Sequence, residues 1–163
     1  MIDAPITTPA PAIEPKAATV VAGRYEVSRA AELCALLRER PLVFPSAPGD
    51  AVRPLVLGIL QALTPLARPE TTPQQLRQAV RVYCLGLSYL LAQGRPVAWR
   101  YDLSGHPVEP VSAEHRGSAR TRFKTVRAYR DRILAERRAA QLQPDRPAAA
   151  GKDVPADVDR QPA

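Results

Sequence analysis

Cysteine and histidine are scarce in this chain, with two of each in 163 residues. Cys34 and Cys84 each fall inside an apolar helical pattern, and neither has a Cys or His neighbour at metal-ligand spacing. They read as two reduced, packed thiols, which suits the cytoplasm and excludes a disulfide scaffold. His106 and His115 stand apart, one in a predicted turn and one near a predicted helix start. No G-x-S-x-G elbow, P-loop, Rossmann glycine pattern or H-E-x-x-H motif occurs. The pair Asp102 and His106 in "DLSGHP" belongs to turn chemistry rather than to a catalytic dyad. The expectation is therefore a non-enzymatic protein with no catalytic residues, no metal and no cofactor. Long apolar runs are missing too. None approaches the ~20 residues that span a bilayer, and the N-terminus lacks the basic start and apolar stretch of a secretory signal.

Negative charge is missing where it would be most useful. Between Glu70 and Asp102 there is no acidic residue, although Arg77, Arg81, Arg95 and Arg100 lie in that interval. The whole chain carries a formal charge of +7 and a sequence pI near 10.0. Such a balance favours a polyanionic partner, without choosing between RNA, DNA and an acidic surface.

What is abundant is proline, with eighteen residues, eight of them in the two terminal stretches 1–24 and 143–163. Residues 1–24 and 143–163 are rich in Pro, Ala and small polar residues and show no sustained period. They bury too little to offset an ordering entropy of roughly 1–2 kcal/mol per residue, so both read as disordered tails. A domain over residues 25–125 and a basic helical extension over 126–142 remain.

Within the domain, Ser28 is expected to cap a helix over about 29–40, with Ala31, Leu33, Cys34, Leu36 and Leu37 as its apolar face and Pro41 ending it. Arg53-Pro54 opens a second helix through Leu55, Ile59 and Leu63, with Gly58 in its middle. Thr72, Pro73 and Gln75 form the start signature of a third, whose buried stripe is Leu76, Val80, Tyr83 and Leu87. Gly86 breaks it before a short helix, "LSYLLAQ", which Gly94 stops. "VAWRYDL", a turn at "SGHP" and "VEPV" predict a β-hairpin, and Ser112 caps a long helix over about 113–141.

These elements frame a candidate binding surface. Arg77 and Arg81 stand four apart on a helix with no Glu to answer them, a like-charge pairing that costs a few tenths of a kcal/mol. The helix start at Thr72 should leave the amides around Gln74, Gln75 and Leu76 pointing outward, and a helix N-terminus is a phosphate site. Alternation along 97–103 places Val97, Trp99, Tyr101 and Leu103 toward the core and turns Arg100 away from it. Tyr89, Trp99 and Tyr101 add rings that can stack on unpaired bases, although core packing is the better reading for Trp99. The closing helix sets nine basic residues, Arg120, Lys124 and Arg127 among them, against Glu114, Asp131 and Glu136. Spread around the helix, they fit auxiliary contact with a phosphate backbone.

"RPLVLGILQAL", "QLRQAVRVYCLGLSYL" and "RYDLSGHPVEPVSAEHR" resemble, in order and spacing, the successive blocks of the ProQ/FinO family of bacterial RNA chaperones over roughly residues 30–120. The resemblance implies a compact mixed α+β, FinO-like domain of about five helices with a small β-hairpin. It implies binding of small regulatory RNAs and mRNA 3′ regions that carry a stem and a short single-stranded 3′ tail, by a monomer in the cytoplasm, with no membrane partner. By the same resemblance, Arg53, Arg77, Arg81, Tyr89, Leu90 and Arg100 contact RNA. The start of the Thr72, Gln74, Gln75 helix, Tyr89 and Arg100 together hold the RNA 3′ end.

Val56 and Pro73 stand where relatives often carry lysine, and Leu87-Ser88 replaces an aromatic-basic pair. Ser104 and His106 alter the usual "DLDGNP" turn. Two other functions compete: a DNA-binding regulator with 73–84 as recognition helix, which the Pro-rich "TPLARPETTP" makes awkward, and a protein adaptor using the basic helix.

Overall fold

The computed structural model describes residues 19–142. Among them are five α-helices and one two-stranded antiparallel sheet: α1 (Arg24–Ala35), α2 (Ile59–Leu63), α3 (Pro73–Cys84), α4 (Leu87–Gln93), β1 (Trp99–Tyr101), β2 (Pro107–Pro110) and α5 (Ala113–Leu142). This is the mixed α+β architecture that the sequence leads one to expect. The chain divides into two compact units, Met1–Tyr129 and Arg130–Ala163. The second contributes the distal part of α5 to the described residues. The expected tails fall outside the described residues except for 19–24, which are ordered. Ala22 N–H donates to the Asp50 carbonyl at 2.8 Å and Val52 N–H to the Val20 carbonyl at 2.8 Å.

α1 starts five residues before the position expected from Ser28. Glu26 at the third helical position accepts from the Gly23 N–H at 3.0 Å, satisfying one amide that a helix start leaves unpaired. Ser28 lies exposed inside the helix. The inward face is Ala30, Leu33 and, beyond the helix end, Leu37, whereas Ala31 faces solvent. The helix stops at Ala35, well short of Pro41, because residues 36–38 leave it to pair with 66–68. Arg38 N–H donates to the Leu66 carbonyl at 2.8 Å and Arg68 N–H to the Leu36 carbonyl at 2.9 Å. The freed carbonyls are closed by side chains, Thr71 Oγ1 on Leu36 and Arg68 Nε on Leu37.

The second helix also departs from expectation. Residues 53–58 are not helical: Tyr101 N–H donates to the Pro54 carbonyl at 2.8 Å and Val56 N–H to the Tyr101 carbonyl at 3.0 Å. Leu55 thus forms a parallel bridge with Tyr101, and the hairpin takes precedence over local helix preference. Gly58 then adopts φ 77°, a left-handed conformation that glycine reaches without strain, and α2 begins after it. The step-of-four pattern survives as burial, since Leu55, Ile59 and Leu63 all lie in the core.

α3 is built as its sequence predicts. Thr72 caps it, Gln75 closes the reciprocal bond, and Leu76, Val80 and Tyr83 are buried against α1 and the core. α4 (Leu87–Gln93) is bracketed by Gly86 and Gly94, also as expected. Antiparallel pairing of β1 with β2 sets Arg100 opposite Glu109, with a register shift between Arg100 and Tyr101. Gly105 at φ 80° turns the hairpin, and the Asp102 carboxylate accepts from His106 N–H at 2.9 Å. Ser112 Oγ accepts from His115 N–H at 3.2 Å and caps α5. Ala119 is the one fully buried residue of α5 among those described. Cys34 and Cys84 are free thiols, each half-buried.

Candidate nucleic-acid interface

Arg77 and Arg81 project from α3 into solvent, and neither has a hydrogen bond or ion pair among the described residues. The buried stripe fixes the rest of the helix surface. One flank, carrying Gln74, Gln75 and Gln78, borders a groove of about 590 Å³ shared with Arg29 and Glu32 of α1. Another flank borders a smaller hollow of about 240 Å³, where Arg77 and Arg68 meet Thr64, Thr71 and Thr72. Thr72, at the start of α3, lines both, and Pro73 lines the smaller one.

That start holds fewer free donors than the sequence suggests. Thr72 Oγ1 accepts from Gln75 N–H at 3.2 Å, Gln75 Oε1 accepts from Thr72 N–H at 2.8 Å, and Leu76 N–H donates to the Thr72 carbonyl at 3.1 Å. Of the three amides expected to face a ligand, only Gln74 is left without a partner among the described residues, because the capping box satisfies its own helix.

Tyr89, Leu90 and Arg100 are buried, at 4%, 3% and 4% exposure. The expectation that Arg100 turns away from the core is overturned: Ala98 and Arg100 face inward, while Val97 is half exposed. The cause is polar. Arg100 donates through one terminal nitrogen to the Leu55 carbonyl at 2.9 Å and through the other to His115 Nδ1 at 3.0 Å. Its Nε lies 3.6 Å from a Glu109 carboxylate oxygen. A guanidinium so supplied can enter the interior that an unpaired one could not.

Tyr89 holds the opposite end of the same residue, its hydroxyl accepting from Leu55 N–H at 2.9 Å. Its ring meets Tyr83 edge-on at 5.5 Å, and Tyr83 in turn meets Phe44 at 5.2 Å. Burial pushes the Cys84 thiol up to about 11, with the Tyr89 hydroxyl beside it pulling the other way, and burial raises the Tyr89 hydroxyl itself. Both groups are neutral at physiological pH. Arg53 lies over the Tyr101 ring, 5.6 Å from its centre.

The expected single cavity therefore separates into two places. Tyr89 contacts Tyr83 and Cys84, at the far end of α3 from Thr72, and twelve helical residues span roughly 18 Å. Neither hollow at the α3 start is lined by Tyr89 or Arg100. The helix start that does adjoin Arg100 is that of α5, through His115. The sequence places His115 near a helix start but gives no sign that His115 and Glu109 are partners of Arg100. On α5, Arg120 Nε closes the α4 terminus by donating to the Gly94 carbonyl at 2.7 Å, while Lys124 and Arg127 are exposed.

Among the described residues no group of three or more His, Cys, Asp or Glu could hold a metal ion, and no helix is long and apolar enough to cross a membrane. A ProQ homolog from Legionella pneumophila, solved by NMR, is similar at 25% identity and a TM-score of 0.46, over 68% of this chain and 91% of its own. A FinO-like RNA chaperone from Neisseria meningitidis, solved by crystallography, is similar at 20% identity and a TM-score of 0.43, over 68% of this chain and 83% of its own. The model of the ProQ/FinO family matches residues 28–138, from the first turns of α1 to the last turns of α5. That span takes in both the exposed arginines of α3 and the buried Arg100 clasp, and the chain belongs to the ProQ/FinO family.

Proposed function

We propose that the protein is an RNA-binding chaperone of the cytoplasm. In this reading it acts as a monomer on RNAs that carry a stem and a single-stranded 3′ tail, in post-transcriptional regulation by small RNAs. The observation that carries the reading is the pair Arg77 and Arg81, exposed one turn apart with no protein partner among the described residues. A stability-driven helix would place an acid beside them; an RNA backbone supplies the missing charge instead.

Two surfaces divide the work. The arginine flank of α3, with Arg68 nearby and Thr72, Gln74 and Gln75 at its head, follows the phosphates of a stem. The RNA end is received beside the clasp of Tyr89, Leu55 and Arg100, with Leu90 in its wall and Arg53 over Tyr101 flanking it. A guanidinium has five N–H donors, and the three protein partners of Arg100 engage at most three. The rest suit a terminal phosphate or hydroxyl. Lys124 and Arg127 add backbone contact from α5.

The test is equilibrium binding to a hairpin with a single-stranded 3′ tail, the same hairpin cut flush, and a DNA duplex of equal length. The tailed RNA should bind tightest, and Arg77→Ala with Arg81→Ala should weaken both RNAs. Equal affinity for tailed and flush hairpins would remove end recognition, and preference for the DNA would favour a DNA-binding regulator.

A further inference from the structure

Arg100 is the one buried charged residue of the described core, and an arginine can only donate. The 3.0 Å contact between its terminal nitrogen and His115 Nδ1 therefore requires that nitrogen to carry no proton. The imidazole hydrogen must sit on Nε2. His115 is fixed in turn from its own helix, as its backbone N–H is capped by Ser112 Oγ. Among the described residues Glu109 supplies the only carboxylate paired with the guanidinium, through Nε.

We infer that His115 is the positioning residue for Arg100: its unprotonated Nδ1 holds the guanidinium in the orientation that meets an RNA 3′ end, and protonation releases it. The inference rests on the reading of Arg100 as part of the end site. A proton on Nδ1 replaces an acceptor with a donor and sets two cations 3.0 Å apart. Among the described residues no acidic side chain is paired with His115. Glu109 is already paired with Arg100 through Nε, and Glu114 stands exposed on α5. Arg116 is turned to the Val111 carbonyl, Arg53 covers Tyr101, and Cys84 and Tyr89 stay neutral. The hold on an RNA end thereby depends on whether His115 Nδ1 carries a proton.

The chain has only one other histidine, His106 in the exposed hairpin turn, which makes the test clean. Affinity for a tailed hairpin should fall about tenfold between pH 8 and 5.5, the scale of one hydrogen bond to a charged group, while a flush hairpin changes far less. His106→Asn should keep that step. His115→Phe should weaken the tailed RNA at every pH and flatten the profile. His115→Asn restores an acceptor that cannot titrate, and should recover affinity over the Phe variant without the step. Nitrogen-resolved NMR of the RNA-free protein supplies an independent measure: the Arg100 side-chain resonances should move with the same midpoint as His115. Tighter binding in acid, a step that persists in His115→Asn, or Arg100 resonances indifferent to His115 titration would each overturn the inference. If the NMR coupling appears but tailed and flush RNAs never differ, the end-site reading fails and the coupling stands.

Discussion

Tyr89 and Arg100 grip one residue from its two ends: the tyrosine hydroxyl takes the N–H of Leu55 and the guanidinium gives to its carbonyl. Leu55 itself is 2% exposed, so neither backbone group has water as a substitute. Residues that family resemblance assigns to RNA thus also hold the core, and their substitution moves two quantities that must be measured separately.

Tyr89→Phe should cost about 1–3 kcal/mol, because it leaves a buried amide without an acceptor. Tyr83→Phe should be neutral or stabilising, because the Tyr83 hydroxyl is buried with no partner among the described residues and its removal relieves a desolvated group. Urea unfolding of the two variants side by side checks this. Equal losses would show that ring packing, rather than the hydroxyl, decides both positions.

Arg77→Ala and Arg81→Ala should leave folding stability unchanged within about 0.5 kcal/mol, since each removes an exposed side chain and a like charge one turn away. Each should lower the slope of log affinity against log salt by about 0.7–0.9 if its guanidinium meets one phosphate. Filter binding across a salt series, alongside thermal melts, separates the two effects. An unchanged slope would take these arginines off the RNA path.

Asp50 carries a prediction about acid. Its carboxyl lies below the usual carboxylate range, first because the Ala47 and Ser46 amides donate to it and then because the Ser46 hydroxyl does. A lowered folded-state value means that its contribution is present above the unfolded value and is lost as pH falls through the folded one. The melting-temperature gap between the wild type and Asp50→Asn should therefore be constant above about pH 5 and close below about pH 4. A gap that widens in acid would contradict the assignment.

Thiol chemistry tests the packing around Tyr89. With the Cys84 thiol raised to about 11 by burial, and Cys34 raised by the same cause, the folded protein should react slowly with iodoacetamide at pH 8. Both thiols should become reactive together on unfolding, as mass spectrometry of quenched samples would show. Rapid labelling of native Cys84 would mean that the Tyr89 clasp opens readily.

Elements with a local signal were legible in the sequence. Thr72, Pro73 and Gln75 announce α3, Gly86 and Gly94 bracket α4, and Ser112 starts α5, each acting on backbone groups within a few residues. Elements decided by distant partners were not. Residues 53–56 carry a helical pattern but pair with Tyr101, and the end of α1 is set by pairing with 66–68 rather than by Pro41. Arg100 was misplaced for the same reason. Alternation gives two faces without saying which is inner, and the partners that draw Arg100 inward come from Leu55 and His115. The exposed pair Arg77 and Arg81 was visible because helical spacing and the lack of acids both lie in one short stretch.

The long closing helix buries little besides Ala119, and past Val126 it shows solvent a surface of mainly arginine and alanine, with Arg132 and Glu136 3.7 Å apart as one internal tie. Such a rod is a polyelectrolyte whose helicity answers to counterions. Added salt weakens the ion pair while relaxing repulsion among the arginines, and a strand of phosphates laid along it would condense that charge and stiffen the coil of backbone hydrogen bonds. Circular dichroism of this helix would then report occupancy directly, rising as polyanion is added and falling as it is displaced.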